Sequence, residues 1–344
     1  MQIPIIGVGS RIMKQVPVYI NILLFCILCS GSLFAQNRPV LRISVENTET
    51  HVQTLYVRRF SELLSERLEG SVEVRFFDSA QLFRDSEVVG AIARGDLEMA
   101  VPGTWQLSRY VPEIGYLLLP DFFGAERMGT DRFLESDMGR ELLTRIEYNL
   151  NVIVPGKWMD LGAAHIFTTR KQIQRFDDFV GCRIRVAGGV ANKMRVEVFG
   201  ATGVIISWPD LPPRIRDGTV DGLLTTFETI RSAALWKDGI RFAFLDYEYF
   251  PQYVPIVSTH FWGLLTSNQQ RIFRETWDEL ALQQRGAAAQ AQTEAMEVAQ
   301  KSGIIITVPS DLEIHKAHMV LQDHRSQIIR ELGIDPDFIE LEDR

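Results

Sequence analysis

Between Ser267 or Asn268 and about Lys301 the sequence holds a helical pattern with no Gly-Pro break, its middle marked by Gly286 and Ala287–Ala289. At 1.5 Å per residue such a helix is about 50 Å long, more than one small domain needs to cover its core. A chain of 344 residues is long enough for two domains. The simplest way to use this helix is to bridge them. With 46% hydrophobic and 23% charged residues the chain has the profile of an ordinary globular protein. Its net charge of −8, without a basic block, argues against nucleic acid as a partner.

The first 35 residues differ from the rest. They contain no Asp or Glu, and an apolar core (Ile20–Leu28) follows Lys14 and leads to Ala35-Gln36. This is the pattern of a secretory signal peptide over 1–35, with Met13 an alternative start and an uncleaved membrane anchor the competing reading. Removing the leader takes Arg11 and Lys14 with it and shifts the charge from −8 to about −10. Cys26 and Cys29 leave too, without a lipoprotein box around them, and Cys182 remains alone. No intramolecular disulfide is then possible. A periplasmic location is expected, with Cys182 a small buried hydrophobe.

Alternation at Leu41–Val45 and Val72–Phe76 reads as strands, and Val52–Leu68 as a helix ended by Gly70. A short helix at 86–94 and a strand at 97–101 complete a β-loop-α-β-α-β order, which implies a parallel sheet with ligand loops at its C-terminal strand ends. Ser136 caps a further helix, and Pro155-Gly156 marks a crossing between domains. A second α/β unit follows: strands at 163–168, around Arg185, 204–207, 220–224 and 241–245, with helices at 190–199 and 210–217. One helix is expected over 310–331. The fold class is α/β, two domains with a ligand cleft between them, assigned as 36–162 plus about 251–285 and 163–250 plus about 286–344.

Arg185 sits on a strand with alternating apolar neighbours, ahead of the glycine-rich turn Gly188-Gly189 that opens a helix. A cation on the open side of a strand near a helix N-terminus is a receptor for a carboxylate. The bland alternative is a surface arginine paired with Asp177 or Asp178. Trp105 and Trp208 follow strands and suit a flat apolar wall, or simply the core. Glu46 and Asn47 in the first βα loop reach toward the cleft from the other domain, as do Arg84 and Asp85 after Gln81-Leu82. His315-x-x-His318 with His324 has partial metal spacing, but lies on an amphipathic helix and reads as a solvated face; no metal site is assigned. There is no Gly-x-Ser-x-Gly, His-Glu-x-x-His or phosphate loop, so no enzyme is expected.

The order of Ser79-Ala-Gln-Leu82, Ile92-Ala-Arg-Gly-Asp-Leu97, Leu119-Pro-Asp-Phe-Phe123, Phe176-Asp-Asp-Phe-Val-Gly-Cys-Arg-Ile-Arg-Val186, Phe199-Gly-Ala201 and Ile215-Arg-Asp-Gly-Thr-Val-Asp-Gly222 is more telling than any one of them. In this order the chain resembles the extracytoplasmic solute-binding subunits of tripartite ATP-independent periplasmic (TRAP) transporters, of the C4-dicarboxylate-binding type. The resemblance covers nearly all of the chain after the leader. It implies a type II-like binding protein whose long helix spans the hinge, which closes around an organic acid and hands it to membrane permease subunits driven by an ion gradient. It further implies that Arg185 pairs with the ligand carboxylate. His165 stands where relatives often have a second pocket arginine, Thr225 where an Asn is frequent, and Trp208 at a common aromatic position. Histidine for arginine replaces a permanent bidentate charge by a smaller titratable donor. A monocarboxylate or keto acid is therefore a better expectation than a C4-dicarboxylate. No cofactor is expected, and a monomer is. The alternative function is a sensor that presents its closed form to a signalling receptor.

Overall fold

The computed structural model describes residues 1, 2, 4, 38–123, 132–247 and 249–343. The leader read over 1–35 falls, apart from residues 1, 2 and 4, outside them. From Pro39 onward the chain forms two α/β lobes, each built on one sheet.

The first sheet has the order β2 (Glu73–Phe77), β1 (Val40–Ser44), β3 (Met99–Ala100), β12 (Ile256–Ser258), β4 (Val152–Ile153). The second has the order β13 (Ile305–Thr307), β10 (Phe242–Phe244), β6 (His165–Thr168), β9 (Gly222–Thr225), β7 (Arg183–Val186), β8 (Thr202–Ile205). A purely parallel arrangement is not what forms. β12 runs antiparallel to β3 and β4, and β6 antiparallel to β9 and β10. The reversal has a cause: each of these strands is the first laid down after the chain crosses from the other lobe, so it enters its sheet from the cleft side.

The crossing segments pair with each other. β5 (Met159–Asp160) and β11 (Gln252–Tyr253) form a short antiparallel ladder, fastened to the long helix. That helix, Ser267–Lys301, starts at a capping box in which Thr266 and Gln269 satisfy each other's amides. Its first half inserts Phe273, Trp277, Leu280 and Ala281 into the core of the first lobe. Its second half places Ala295 and Ala299 in the core of the second. Between them Gln284 holds both polar groups of Asp160, accepting from its amide (3.0 Å) and donating to its carbonyl (2.8 Å). Gln292 donates to the Leu161 carbonyl (2.6 Å). The helix is thus a spine for both lobes and for the crossings.

The C-terminal region departs from the single helix expected over 310–331. It breaks at His324 into Asp311–Asp323 and Arg325–Leu332, where the imidazole Nδ1 meets the Val320 carbonyl at 2.8 Å and stands in for the next helical amide. His318 packs against Phe123 and Gln322, and no metal-holding group of three His, Cys, Asp or Glu occurs among the described residues. No described helix is long and apolar enough to cross a membrane. Cys182 is a buried free thiol.

Candidate functional site

Arg185 is the third residue of β7, between Val204 of β8 and Leu223 of β9. Only 2% of its surface is exposed. Its Nε donates to the Ile206 carbonyl (2.9 Å), and the guanidinium carbon lies 5.8 Å from the centre of the Trp208 ring. Among the described residues its Nη groups make no hydrogen bond, and no carboxylate is paired with it within ion-pair distance. Burial brings its pKa down to about 10, against the opposing pull of Glu46. It is still a cation at neutral pH. Arg185 lines a small cavity between the lobes, of about 40 Å³.

Glu46, two residues past β1, and Asp85, ahead of the helix Val88–Arg94, line the same cavity. Burial lifts Glu46 to about 7, although Arg185 and the Asp85 amide pull the other way. Burial and the Glu46 charge together raise Asp85 well above the usual carboxylate range. Trp105 and Tyr253 meet edge-on (5.6 Å) and form one wall. The Asn47 amide nitrogen is taken up by Gln53 (2.6 Å) and the Tyr253 hydroxyl (2.7 Å). The Tyr249 hydroxyl accepts from Asn192 (3.2 Å). Thr225, Trp208 and Thr229 complete the polar and aromatic lining.

The structure therefore brings together Arg185, Trp208, Thr225, Trp105, Asn47 and Glu46. His165 and Arg84 do not line the cavity. His165 is in register with Thr225, but its ring packs edge-on against Phe227 and Tyr247, and Nδ1 accepts from the Tyr247 amide (3.3 Å). Burial depresses it to about 3, so it is neutral. Arg84 lies at the rim in a two-point contact with Asp210 of the other lobe (2.6 and 3.2 Å). Asp85, its neighbour, points inward instead. Tyr249, Tyr253 and Thr229 were not foreseen. The aromatic run Tyr247–Tyr253 in the second crossing is the signal that marks the two tyrosines, because a crossing segment must border the cleft.

Gly188 and Gly189 do not cradle an anion. A Cβ on Gly188 would press on Trp105 and Gln106 at 3.3 Å, and Gly189 has φ +80°. The turn is glycine because the first lobe sits on it, with Gln106 Nε2 donating to the Ala187 carbonyl (3.0 Å). Deeper in, His51 Nε2 stands 3.2 Å from Glu228 Oε2, the two side chains 1% and 0% exposed, and the Val52 amide donates to Glu228 Oε1 (3.3 Å). With the Arg84–Asp210 pair these contacts hold the lobes closed over the cavity. A wider groove between Leu143, Lys157 and Asp278 has a buried cation of its own, Arg285, but that one donates to the Trp158 carbonyl (2.8 Å) and lies 3.9 Å from Asp160.

Two α/β lobes joined by paired crossings and a shared helix, closed over a cavity with a buried cation, are the architecture of a two-domain solute-binding protein. The chain belongs to the bacterial extracellular solute-binding proteins, family 7, whose model matches residues 43–331. It is a solute-binding protein of the TRAP type, not an enzyme. Among curated relatives, the C4-dicarboxylate-binding protein DctB of Bacillus subtilis is 24% identical over 78% of this chain and 76% of its own. The 2,3-diketo-L-gulonate-binding periplasmic protein YiaO of Escherichia coli is 22% identical over 82% and 84%. Among solved structures, a TRAP periplasmic solute-binding protein of Chromohalobacter salexigens with bound D-glucuronate superposes with a TM-score of 0.80 at 18% identity, over 88% of this chain and 97% of its own. One from Shewanella oneidensis with bound succinate gives 0.80 at 20% identity, over 88% and 97%. At this identity the structural likeness speaks for the fold.

Proposed function

We propose that the chain captures a small organic acid by one carboxylate, held on Arg185, and delivers it to the membrane permease subunits of a TRAP transporter. One observation carries this reading: a buried guanidinium, in hydrogen-bond contact with no carboxylate of the described residues, lines the cavity between two lobes. An arginine fork in low dielectric matches a carboxylate with two parallel charge-assisted bonds. Trp105 and Trp208 cover the carbon skeleton, and Thr225 orients it. The relatives and neighbours above are named for, or hold, organic acids, which supports the class without selecting a member.

The two lobes, 36–162 with about 251–285 and 163–250 with about 286–344, close on the ligand, which favours the closed state by touching both. The β5–β11 crossings and the long helix act as the hinge. Export through the leader at 1–35 brings the protein, as a monomer, to the periplasm. A thermal-shift screen of the chain against organic acids is the test. Ligand that binds only the folded form raises the melting temperature by mass action. No shift with any carboxylate, beside a shift with a neutral sugar or a cation, overturns the reading.

A further inference from the structure

We infer that His51 is a clasp between the lobes that works only as the neutral imidazole, so that closure is favoured at neutral pH and weakened in acid. Lobe closure is taken from the function proposed above; no ligand chemistry is.

His51 belongs to the first lobe and caps the helix Val52–Arg67, where its Nδ1 accepts from the Gln53 amide at 3.2 Å. Nδ1 therefore uses its lone pair, and the one proton of the neutral ring sits on Nε2. Nε2 faces the second lobe, 3.2 Å from Glu228 Oε2 and 3.5 Å from the Thr229 hydroxyl. Among the described residues Oε2 has no other partner. Oε1 takes the Val52 amide (3.3 Å) and Arg231 (2.9 Å). The Thr50 hydroxyl adds a further bond across the lobes, to the Ser232 carbonyl (3.4 Å).

A second proton can go only to Nδ1. An N–H there would point at the Gln53 N–H, so the cap is lost and two donors face each other. The new charge would also stand beside Arg231, which already balances Glu228. Arg231 further reaches Glu294 of the long helix at 3.9 Å, and the Tyr253 ring of the second crossing meets His51 edge-on at 6.3 Å. Burial holds the His51 pKa below its ordinary value, with Glu228 pulling it up and Arg231 pushing it down. Opening the lobes parts Nε2 from Glu228 and returns the ring to water, where its pKa is about 6.5. The open form thus binds a proton that the closed form refuses. The His51 contribution to closing is therefore complete above about pH 6.5 and falls by up to about tenfold for each pH unit below it. Glu46 and Asp85, raised by burial in the closed cavity, act in the opposite direction, so the clasp is read at His51 itself and not from a whole-protein pH profile.

One residue joins the clasp to the cleft. Gln53, whose amide is held by His51, donates from its side chain to the Val101 carbonyl (2.7 Å) and accepts from Asn47 (2.6 Å). Asn47 lines the cavity with Arg185. Loss of the cap therefore loosens the first-lobe wall of the cavity together with the lobe contact.

The test locks the lobes. Arg84→Cys and Asp210→Cys, in a Cys26→Ser, Cys29→Ser background, put thiols on both sides of the cleft mouth for a flexible bis-maleimide to join; Cys182 is buried. The His51 Cε1–H signal is followed by NMR against pH in the chain labelled at its six histidines. It is assigned by its loss in His51→Gln, or by elimination with variants of the other histidines if that one folds poorly. The expected result is a midpoint at least one pH unit lower in the locked chain than in the same chain before cross-linking. Equal midpoints, both ordinary or both depressed, overturn the inference, because the proton on His51 would then be indifferent to closure. No ligand is added, so a failed search for an acid leaves the clasp standing, and equal midpoints leave the carboxylate reading of Arg185 untouched.

Discussion

Arg183 and Arg185 lie two residues apart on one strand and have opposite fates. Arg183, at the N-terminal end of β7, is exposed and locked to Asp221 by two side-chain bonds (2.9 and 2.8 Å), with its own amide adding a third (2.9 Å). Arg185, nearer the C-terminal end, is buried and bonded only to a carbonyl. The opposing carboxylates diverge in the same way. Asp221 is held below its ordinary pKa by the Arg183 bonds, whereas Glu46 is lifted to about 7 by burial. One end of the strand is a finished surface ion pair; the other is an unfinished site. In an α/β sheet the C-terminal strand ends are where the loops open a crevice, and here the first lobe covers it, so the same residue type becomes either a solvated strut or a desolvated receptor.

The largest effect that distinguishes the two ends is on ligand affinity. Arg185→Ala removes charge-assisted bonds worth about 1.5–3 kcal/mol each when desolvated. Affinity for the preferred acid is expected to fall at least tenfold by calorimetry, and Arg183→Ala to stay within twofold. Equal losses would mean that the strand, not the cavity, is what the arginines serve.

Glu46 sharpens the comparison through pH. Its folded pKa lies above the unfolded carboxylate value, so it binds a proton more readily when folded. The stability it contributes is present below about pH 4.5 and is lost as pH rises to about 7. The groups facing it are Arg185, Asp85, Arg84 and Glu87. Asp221 has the opposite sign: its contribution is present above its unfolded value and lost as pH falls through its lowered one. His51 and His165, both depressed by burial, add stability as pH rises toward 6.5, so the wild-type curve alone mixes signs. The difference between Glu46→Gln and wild type isolates Glu46. In denaturant titrations the variant is expected to gain on the wild type by on the order of 2 kcal/mol between pH 5 and pH 8. A flat difference would place Glu46 in water.

How much of this was readable beforehand follows from what each residue depends on. The long helix, the strand of Arg185 and the loops after β1, β3 and β8 come from local periodicity, and Glu46, Asn47, Trp105 and Trp208 follow from them; Thr225 came from the family resemblance alone. The reversal of β6 and β12 depends on the side from which the chain re-enters a sheet, which no local pattern encodes. The inversion of Arg84 and Asp85 is similar. Both sit in the same turn, and only the approach of Asp210 from the other lobe decides which faces out. His165 was placed by the family resemblance, as the counterpart of a second arginine, but its ring is claimed by Phe227 and Tyr247, contacts far apart in sequence.

Trp208 tests the wall beside the receptor. An arginine over an indole is worth about 0.5–2 kcal/mol, more when desolvated. Trp208→Ala is expected to weaken the ligand roughly three- to tenfold with little change in unfolding, since the ring is only partly buried.

The smallest expected effect is at the rim. Arg84 and Asp210 join the lobes, but both are well exposed, and such pairs gain little against side-chain entropy and screening. Arg84→Ala is expected to change affinity less than threefold in dilute buffer, and the change to vanish in 0.5 M salt. The buried His51–Glu228 contact beneath it does not share that sensitivity. A salt-resistant loss of more than tenfold in Arg84→Ala would mean that Arg84 leaves Asp210 for the ligand. The cleft would then present two cations to the ligand, as two carboxylates of one acid would use.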